Sequence, residues 1–334
     1  RRHHGPERDR QPFRLMVFRN IPHAGQRWLG VLALVVALGS AVPALASPPP
    51  ALFVTETGEP VSIEHLAEDL AERRFVLLGE KHDNPEHHEI QAELLHRMIA
   101  AGRKPALVWE MIERGKQAAM DAFRASGNTD PDAFAEAIGW ADSSWPDWKF
   151  YRPIADAALA AGLPMIAGNL DAETVRSISQ GDMIEADLRA ALRLDEAVPE
   201  FVREALRDEV YRGHCGLIPQ DKLSPMVAVQ IARDASLAEA MLRAAGAADG
   251  AVLIAGGQHA RRDTGAGFHL EHRFGGGNIA SIGMLEGDLE IVWAGEEHAV
   301  PPGRFDYVWY TDPAQPDKDY CADLEARFKA FTKN

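Results

Sequence analysis

The sequence predicts an α/β fold, a mostly parallel sheet flanked by helices in βαβ units, with an inserted helical subdomain. Three observations carry this expectation. Short apolar runs alternate with amphipathic stretches, which is the pattern of strands covered by crossover helices. Several of the runs end in polar turns containing glycine. The stretch 171–248, by contrast, holds charged and apolar residues at helical spacing and no strand-like run.

The expected strands are 75–78, 106–109, 164–167, 251–255 and 279–284, followed by a late pair near 290–294 and 306–309. Helical spacing of apolar residues appears over 63–71, 89–101 and 154–161. Inside the helical stretch it recurs over 184–194, 200–211 and 226–245, broken by Pro199, Pro219 and Pro225. Residues 47–60 read as a linker stiffened by Pro48, Pro49 and Pro50. Residues 61–312 read as the α/β domain and 313–334 as a tail.

Residues 1–46 are set aside from the fold. Arg27 precedes an apolar run over 28–42, then Pro43 and Ala44-Leu45-Ala46, the order of an export signal and its cleavage site. The apolar run contains Gly30 and Gly39 and is shorter than the roughly 20 residues of a spanning helix. Residues 1–13 precede Met16 and read as an over-extended gene start. A periplasmic or secreted protein is expected. No cysteine follows Ala46, so lipid anchoring there is not expected.

Composition narrows the classes. With 46% hydrophobic residues and 25% charged ones, the 334-residue chain is neither disordered nor fibrous. Its 50 acidic against 35 basic residues, a net charge of -15, argue against a nucleic-acid partner. Cys215 and Cys321 are the two cysteines; in an oxidising compartment they could pair, and each also reads as a small apolar or tail residue.

The chemistry is expected at the ends of the strands. Phe75-Val76-Leu77-Leu78 runs into Gly79-Glu80-Lys81-His82-Asp83-Asn84, Leu107-Val108-Trp109 into Glu110, and Met165-Ile166-Ala167 into Gly168-Asn169. Val252-Leu253-Ile254-Ala255 runs into Gly256-Gly257-Gln258-His259. Ligands of open parallel sheets bind beyond the carboxyl ends of the strands, so Glu80, His82, Glu110, Asn169 and His259 are expected at one edge. Asn84 and Pro85 read as the cap and first position of a helix whose amide end would favour an anion there. Arg261 and Arg262 are candidate forks for a carboxylate or phosphate. His87 and His88 read as solvated helix positions.

Two further clusters stand out. Tyr211-Arg212-Gly213-His214-Cys215-Gly216 reads either as a bent segment closing over the crevice or as a plain helix end. Trp145-Pro146-Asp147-Trp148-Lys149-Phe150-Tyr151 reads either as a packing corner or as a wall for a flat aromatic ligand. Serine-hydrolase, zincin, P-loop and haem-attachment motifs do not occur in the mature part of the sequence.

At these residues the sequence resembles the ChaN-like haem-binding uptake proteins of the Tiki and TraB superfamily. The carriers are 79–84, Trp109-Glu110-Met111, Phe150-Tyr151-Arg152-Pro153, Ala167-Gly168-Asn169, His214-Cys215-Gly216, Gln230-Ile231-Ala232-Arg233-Asp234 and Gly256-Gly257-Gln258-His259-Ala260-Arg261. The resemblance implies a bacterial envelope protein that binds haem, between two subunits of a homodimer, and works with an outer-membrane haem or iron transport system. It implies a tyrosine on the iron, here Tyr151 or Tyr211 with Tyr151 preferred, and Lys149, His214 and Arg261 among the cofactor-binding residues. The metalloprotease branch of the superfamily implies an alternative. There His82, His259 and Glu80 would hold a divalent metal such as zinc or manganese, with Glu80 and Glu110 as acid/base groups of a hydrolase.

Overall fold

The computed structural model describes residues 51–287 and 300–331. Its strands are β1 (Leu52–Val54), β2 (Phe75–Glu80), β3 (Ala106–Glu113), β4 (Met165–Asn169), β5 (Ala251–Gly256), β6 (Ile279–Glu286) and β7 (Tyr307–Thr311). They form one sheet in the order β1-β7-β6-β2-β5-β3-β4. Every pairing is parallel except that of β1 with β7. Leu52–Val54, placed by sequence in the linker, is therefore an edge strand, and its Leu52 is buried. The expected strand at 290–294 lies outside the described residues.

Alternate residues of the central strands enter two separate cores. Val76, Leu78, Leu107, Trp109, Val252 and Ile254 pack on one face, under α1 (Ile63–Glu72), α2 (Pro85–Ala100) and α5 (Trp148–Ala160). Phe75, Leu77, Val108, Leu253 and Ala255 pack on the other, against Leu237 and Met241 of α9 (Ser224–Ala244). A strand covered on both faces reads as a continuous apolar run, which is why 75–78 and 251–255 are legible in the sequence. Between β3 and β4 lie α3 (Gln117–Ala125) and α4 (Pro131–Ile138), together with α5. The aromatic cluster of 145–151 is a packing corner here: Trp148 meets Phe134 and Trp140, and Trp140 meets Tyr151.

Between β4 and β5 the chain forms α6 (Ala172–Gln180), α7 (Ala186–Ala191), α8 (Glu200–Gly213) and α9. The last two share a small core of Val202, Leu206, Val210, Val227 and Ile231. After β5 come the short helices α10 (Gly257–Ala260) and α11 (Ala266–Phe268), and the described chain closes with α12 (Tyr320–Phe331). Cys215, in the turn after α8, is disulfide-bonded to Cys321 of α12.

This connectivity positions the site. From β2 the chain crosses over β5 to reach β3, whereas from β5 it crosses back over β2 to reach β6. The connections leave the neighbours β2 and β5 in opposite directions, which opens a crevice beyond their carboxyl ends. Glu80 and Gly256 are paired in register at that opening.

His87 and His88 are fully buried, contrary to the solvated reading. The Lys81 backbone N–H donates to His87 Nδ1 (2.9 Å), and His87 Nε2 meets Thr311 Oγ1 (2.8 Å). His88 packs between Phe150 and Tyr151. The cap of α2 sits under the ends of β6 and β7 instead of facing solvent, and that fact is not visible in local sequence. Asn84 does cap α2, accepting from the Glu86 N–H at 3.0 Å, and its own amide donates to Glu286 at 2.9 Å.

Gly79 shows how tight the sheet is at this edge. A Cβ there would lie 2.7 Å from Ala260 Cβ and 2.9 Å from Gly257 Cα. Gly79→Ala is expected to cost about 1–3 kcal/mol of folding stability, measured by urea denaturation against the parent chain.

Candidate functional site

The carboxyl ends of β2, β3 and β5 bring Glu80, His82, Glu110 and His259 together. Glu110 lies inside β3, just past the point where the register with β4 shifts, and is buried. Its Oε2 accepts the Gly256 backbone N–H at 2.7 Å, and its Oε1 is 3.3 Å from His259 Nε2. His259 Nδ1 is 2.6 Å from Asp234 Oδ1 on α9. Glu80 Oε1 meets His82 Nδ1 at 2.6 Å and accepts from the Tyr151 phenol at 3.2 Å. Gly256 joins the two halves: a Cβ there would stand 2.9 Å from His82 Nε2 and 3.6 Å from Glu110 Oε2, so only glycine leaves His82 its place.

Burial of His259 by itself favours the neutral ring, but Glu110 and Asp234 on its two nitrogens outweigh it and push its pKa up to about 9. Burial likewise opposes the charge on His82, and Glu80 reverses that, leaving the pKa raised. For Glu110 the penalty of burial is overcome by His259, His82 and the Gly256 amide, which hold its carboxyl below the usual range. Burial pushes Asp234 up even against the pull of His259. The edge therefore presents an imidazolium fixed between two carboxylates.

A cavity of about 490 Å³ opens above these groups. Glu80, His82, Asp234 and His259 line its floor, Leu206, Val210, Gly213 and His214 of the α8 region one wall, and Lys81, Met284, Leu285 and Glu286 another. His214 Nδ1 is 2.7 Å from the Val210 carbonyl oxygen. A carbonyl only accepts, so Nδ1 carries a proton, and Nε2 has no protein partner among the described residues.

Other candidates lie elsewhere. Tyr151 is fully buried in the sheet core, its phenol donates to Glu80 and is pushed up by burial, Glu80 and Glu110, and it does not line the cavity. Lys149 is exposed and pairs with Asp147 at 3.4 Å. Arg261 is 2% exposed, its guanidinium bound to Asp263 (2.6 Å) and Glu209 (3.0 Å), and Arg262 is tied to Glu271 and Asp306, so neither is a free anion fork. Tyr211 is part-buried beside Gly216 and does not line the cavity. Asn169 holds the Glu110 carbonyl at 2.8 Å.

Among the described residues no three His, Cys, Asp or Glu side chains are arranged to hold a metal ion. Both nitrogens of His259 and Nδ1 of His82 face carboxylates. Sequence reasoning singles out Glu80, His82, Glu110, His214 and His259 but gives Asp234 no role of its own. A lone buried acid on the largely apolar face of α9 is the signal that could have found it.

The family model described as "Haem-binding uptake, Tiki superfamily, ChaN" matches residues 66–270. The chain belongs to this family. Among solved structures, this ChaN-family chain is similar to ChaN of Campylobacter jejuni, whose structure is titled for cofacial haem binding. That match has a TM-score of 0.63 and 20% identity, and covers 77% of this chain and 94% of that one. The type III effector HopBA1 matches at a TM-score of 0.37 and 13% identity, over 81% of this chain and 99% of that one. A search of curated proteins gave no match. What this chain shares with the Campylobacter protein is thus the α/β fold.

The charge state of His259 sets a pH dependence. Its folded pKa of about 9 exceeds the ordinary 6.5, so its contribution to stability is whole below pH 6.5 and is lost as pH rises through 9. Urea denaturation is expected to show stability falling by about 2 kcal/mol between pH 6.5 and 9.5, with the slope flattened in His259→Gln. Below pH 6.5 buried His87, pushed down to about 4, and His269, pushed down to about 3, resist protonation and reverse the trend.

Proposed function

We propose that the chain is an exported haem-binding protein of haem and iron uptake, with haem as its cargo in the cavity between the sheet edge and α8. The observation that carries this reading is the unpartnered Nε2 of His214 at the wall of a cavity with apolar flanks. A haem supplies a flat apolar macrocycle, an iron that takes an axial donor, and two carboxylates. The cavity offers the matching parts. Leu206, Val210, Met284 and Leu285 provide apolar surface, and a volume of about 490 Å³ falls within the roughly 300–1,000 Å³ of small-molecule sites. His214 Nε2 is the available donor, and His82, its Nδ1 held by Glu80, which favours the charged ring, turns its Nε2 side toward the place of a carboxylate.

Family membership supports the ligand, since the matching model describes haem-binding uptake proteins. A homodimer around the ligand and an outer-membrane transport system as partner belong to the same proposal, resting on the sequence resemblance alone. The apolar run over 28–42 and the Ala44-Leu45-Ala46 site support export.

Hemin titration of the purified protein is expected to give a shifted Soret band. His214→Ala should weaken binding about tenfold or more and change the band, Tyr211→Phe should change it less, and Tyr151→Phe should leave it alone. A protein that leaves the hemin spectrum unperturbed ends this reading. For export, protein recovered from the periplasm or medium is expected to begin at Ser47, by N-terminal sequencing.

A further inference from the structure

The segment from Asp312 to Cys321 touches both walls of the cavity. On the sheet side, the Tyr320 hydroxyl donates to Asp83 Oδ2 at 2.7 Å and accepts from Lys81 Nζ at 2.8 Å. Gln315 donates to the same Asp83 oxygen at 3.1 Å, the Ala314 N–H to Glu286 Oε1 at 3.0 Å, and Asn84 to the Asp312 carbonyl at 3.2 Å. Lys81 and Glu286 line the cavity. On the helical side, Cys321 is bonded to Cys215, which comes directly after Gly213 and His214, and those two also line the cavity. Cys215 lies in a tight turn at φ 53°, its N–H donating to the Arg212 carbonyl at 2.8 Å.

The two attachments differ in kind. The sheet side is held by hydrogen bonds and ion pairs, the helical side by a covalent bond. Beyond Cys321, residues 322–330 of α12 are exposed except for half-buried Leu324, so the helix gains little from packing. Cys321 is exposed and Cys215 half-buried, which leaves the bond open to a small reductant or a protein dithiol.

We infer that residues 312–321, closed by the Cys215–Cys321 disulfide, form a redox-sensitive clamp that ties the α8 wall of the cavity to the sheet edge and governs release of the bound ligand. Opening is a thiol–disulfide exchange with a dithiol reductant. One thiolate of the dithiol attacks a Cys sulfur, the Cys215–Cys321 bond breaks and a mixed disulfide forms, and the second thiol of the reductant then displaces the remaining Cys. The reductant leaves as a disulfide, and its two electrons and two protons remain on Cys215 and Cys321 as thiols. The strap then stays on Asp83, Lys81 and Glu286 while His214 and the end of α8 are freed from it.

For its ligand the inference rests on the haem reading, so the test has two readouts. In the first, the full chain is reduced with a dithiol, its thiols are alkylated and the reductant is removed; it is then loaded with hemin, and transfer to apomyoglobin is timed. Transfer should be about tenfold faster than from the disulfide form, and equally fast from untreated Cys321→Ser. In the second, hydrogen exchange of the apo protein over 206–216 should rise on reduction and in Cys321→Ser, whereas exchange in β2 and β5 should stay put. Hemin that binds but leaves at one rate in all forms overturns the clamp. If hemin does not bind at all the haem reading falls, and the clamp then stands or falls on exchange over 206–216, unchanged exchange overturning it.

Discussion

Glu110 is the buried charge around which the rest of the site is arranged. Placing a carboxylate inside a sheet covered on both faces is costly unless every side of it meets a donor or a positive charge. The Gly256 amide takes one oxygen and His259 the other. That requirement holds His259 protonated, brings Asp234 of α9 to its far nitrogen, and so docks the helical subdomain onto the sheet edge. Removing any one member would leave a largely buried charge without its partner.

The Glu80 half obeys a different logic. Its Oε1 serves both His82 and Tyr151, while Oε2 has no hydrogen-bond partner and lies 4.0 Å from His88 Nε2. His82, by contrast, reaches the cavity, with Trp145 edge-on to its ring at 4.9 Å. The rigid core therefore orients the His82 ring at the floor, beside that of His259. Apolar side chains from α8 and β6 supply the walls, which come from parts of the chain that are remote in sequence. A cavity assembled this way is only as firm as the ties between its walls, and the disulfide at the end of α8 is the covalent one.

Much of this is legible from local pattern. Strands buried on both faces give unbroken apolar runs, crossover helices give amphipathic ones, and the parallel order gathers the polar residues after each run at one edge. Glu80, His82, Glu110 and His259 could be placed in one site on that ground alone. Phe75–Leu78 and Ala251–Ala255 needed no tertiary knowledge to be recognised as strands. Leu52–Val54 escaped because a three-residue edge strand paired on one side leaves almost no periodicity to detect.

The chain carries in its own order the sheet, its polarity and the identity of the groups at its carboxyl edge, because those depend on spacing along the backbone. Only the folded structure decided the partner of each group. Asp234 reaches His259, Glu209 and Asp263 consume Arg261, Tyr151 turns into the core, His87 and His88 are covered, and Cys215 finds Cys321 across 106 residues. Charge pairing, burial and cross-links depend on distances between elements that meet only after packing, and no local periodicity encodes those distances.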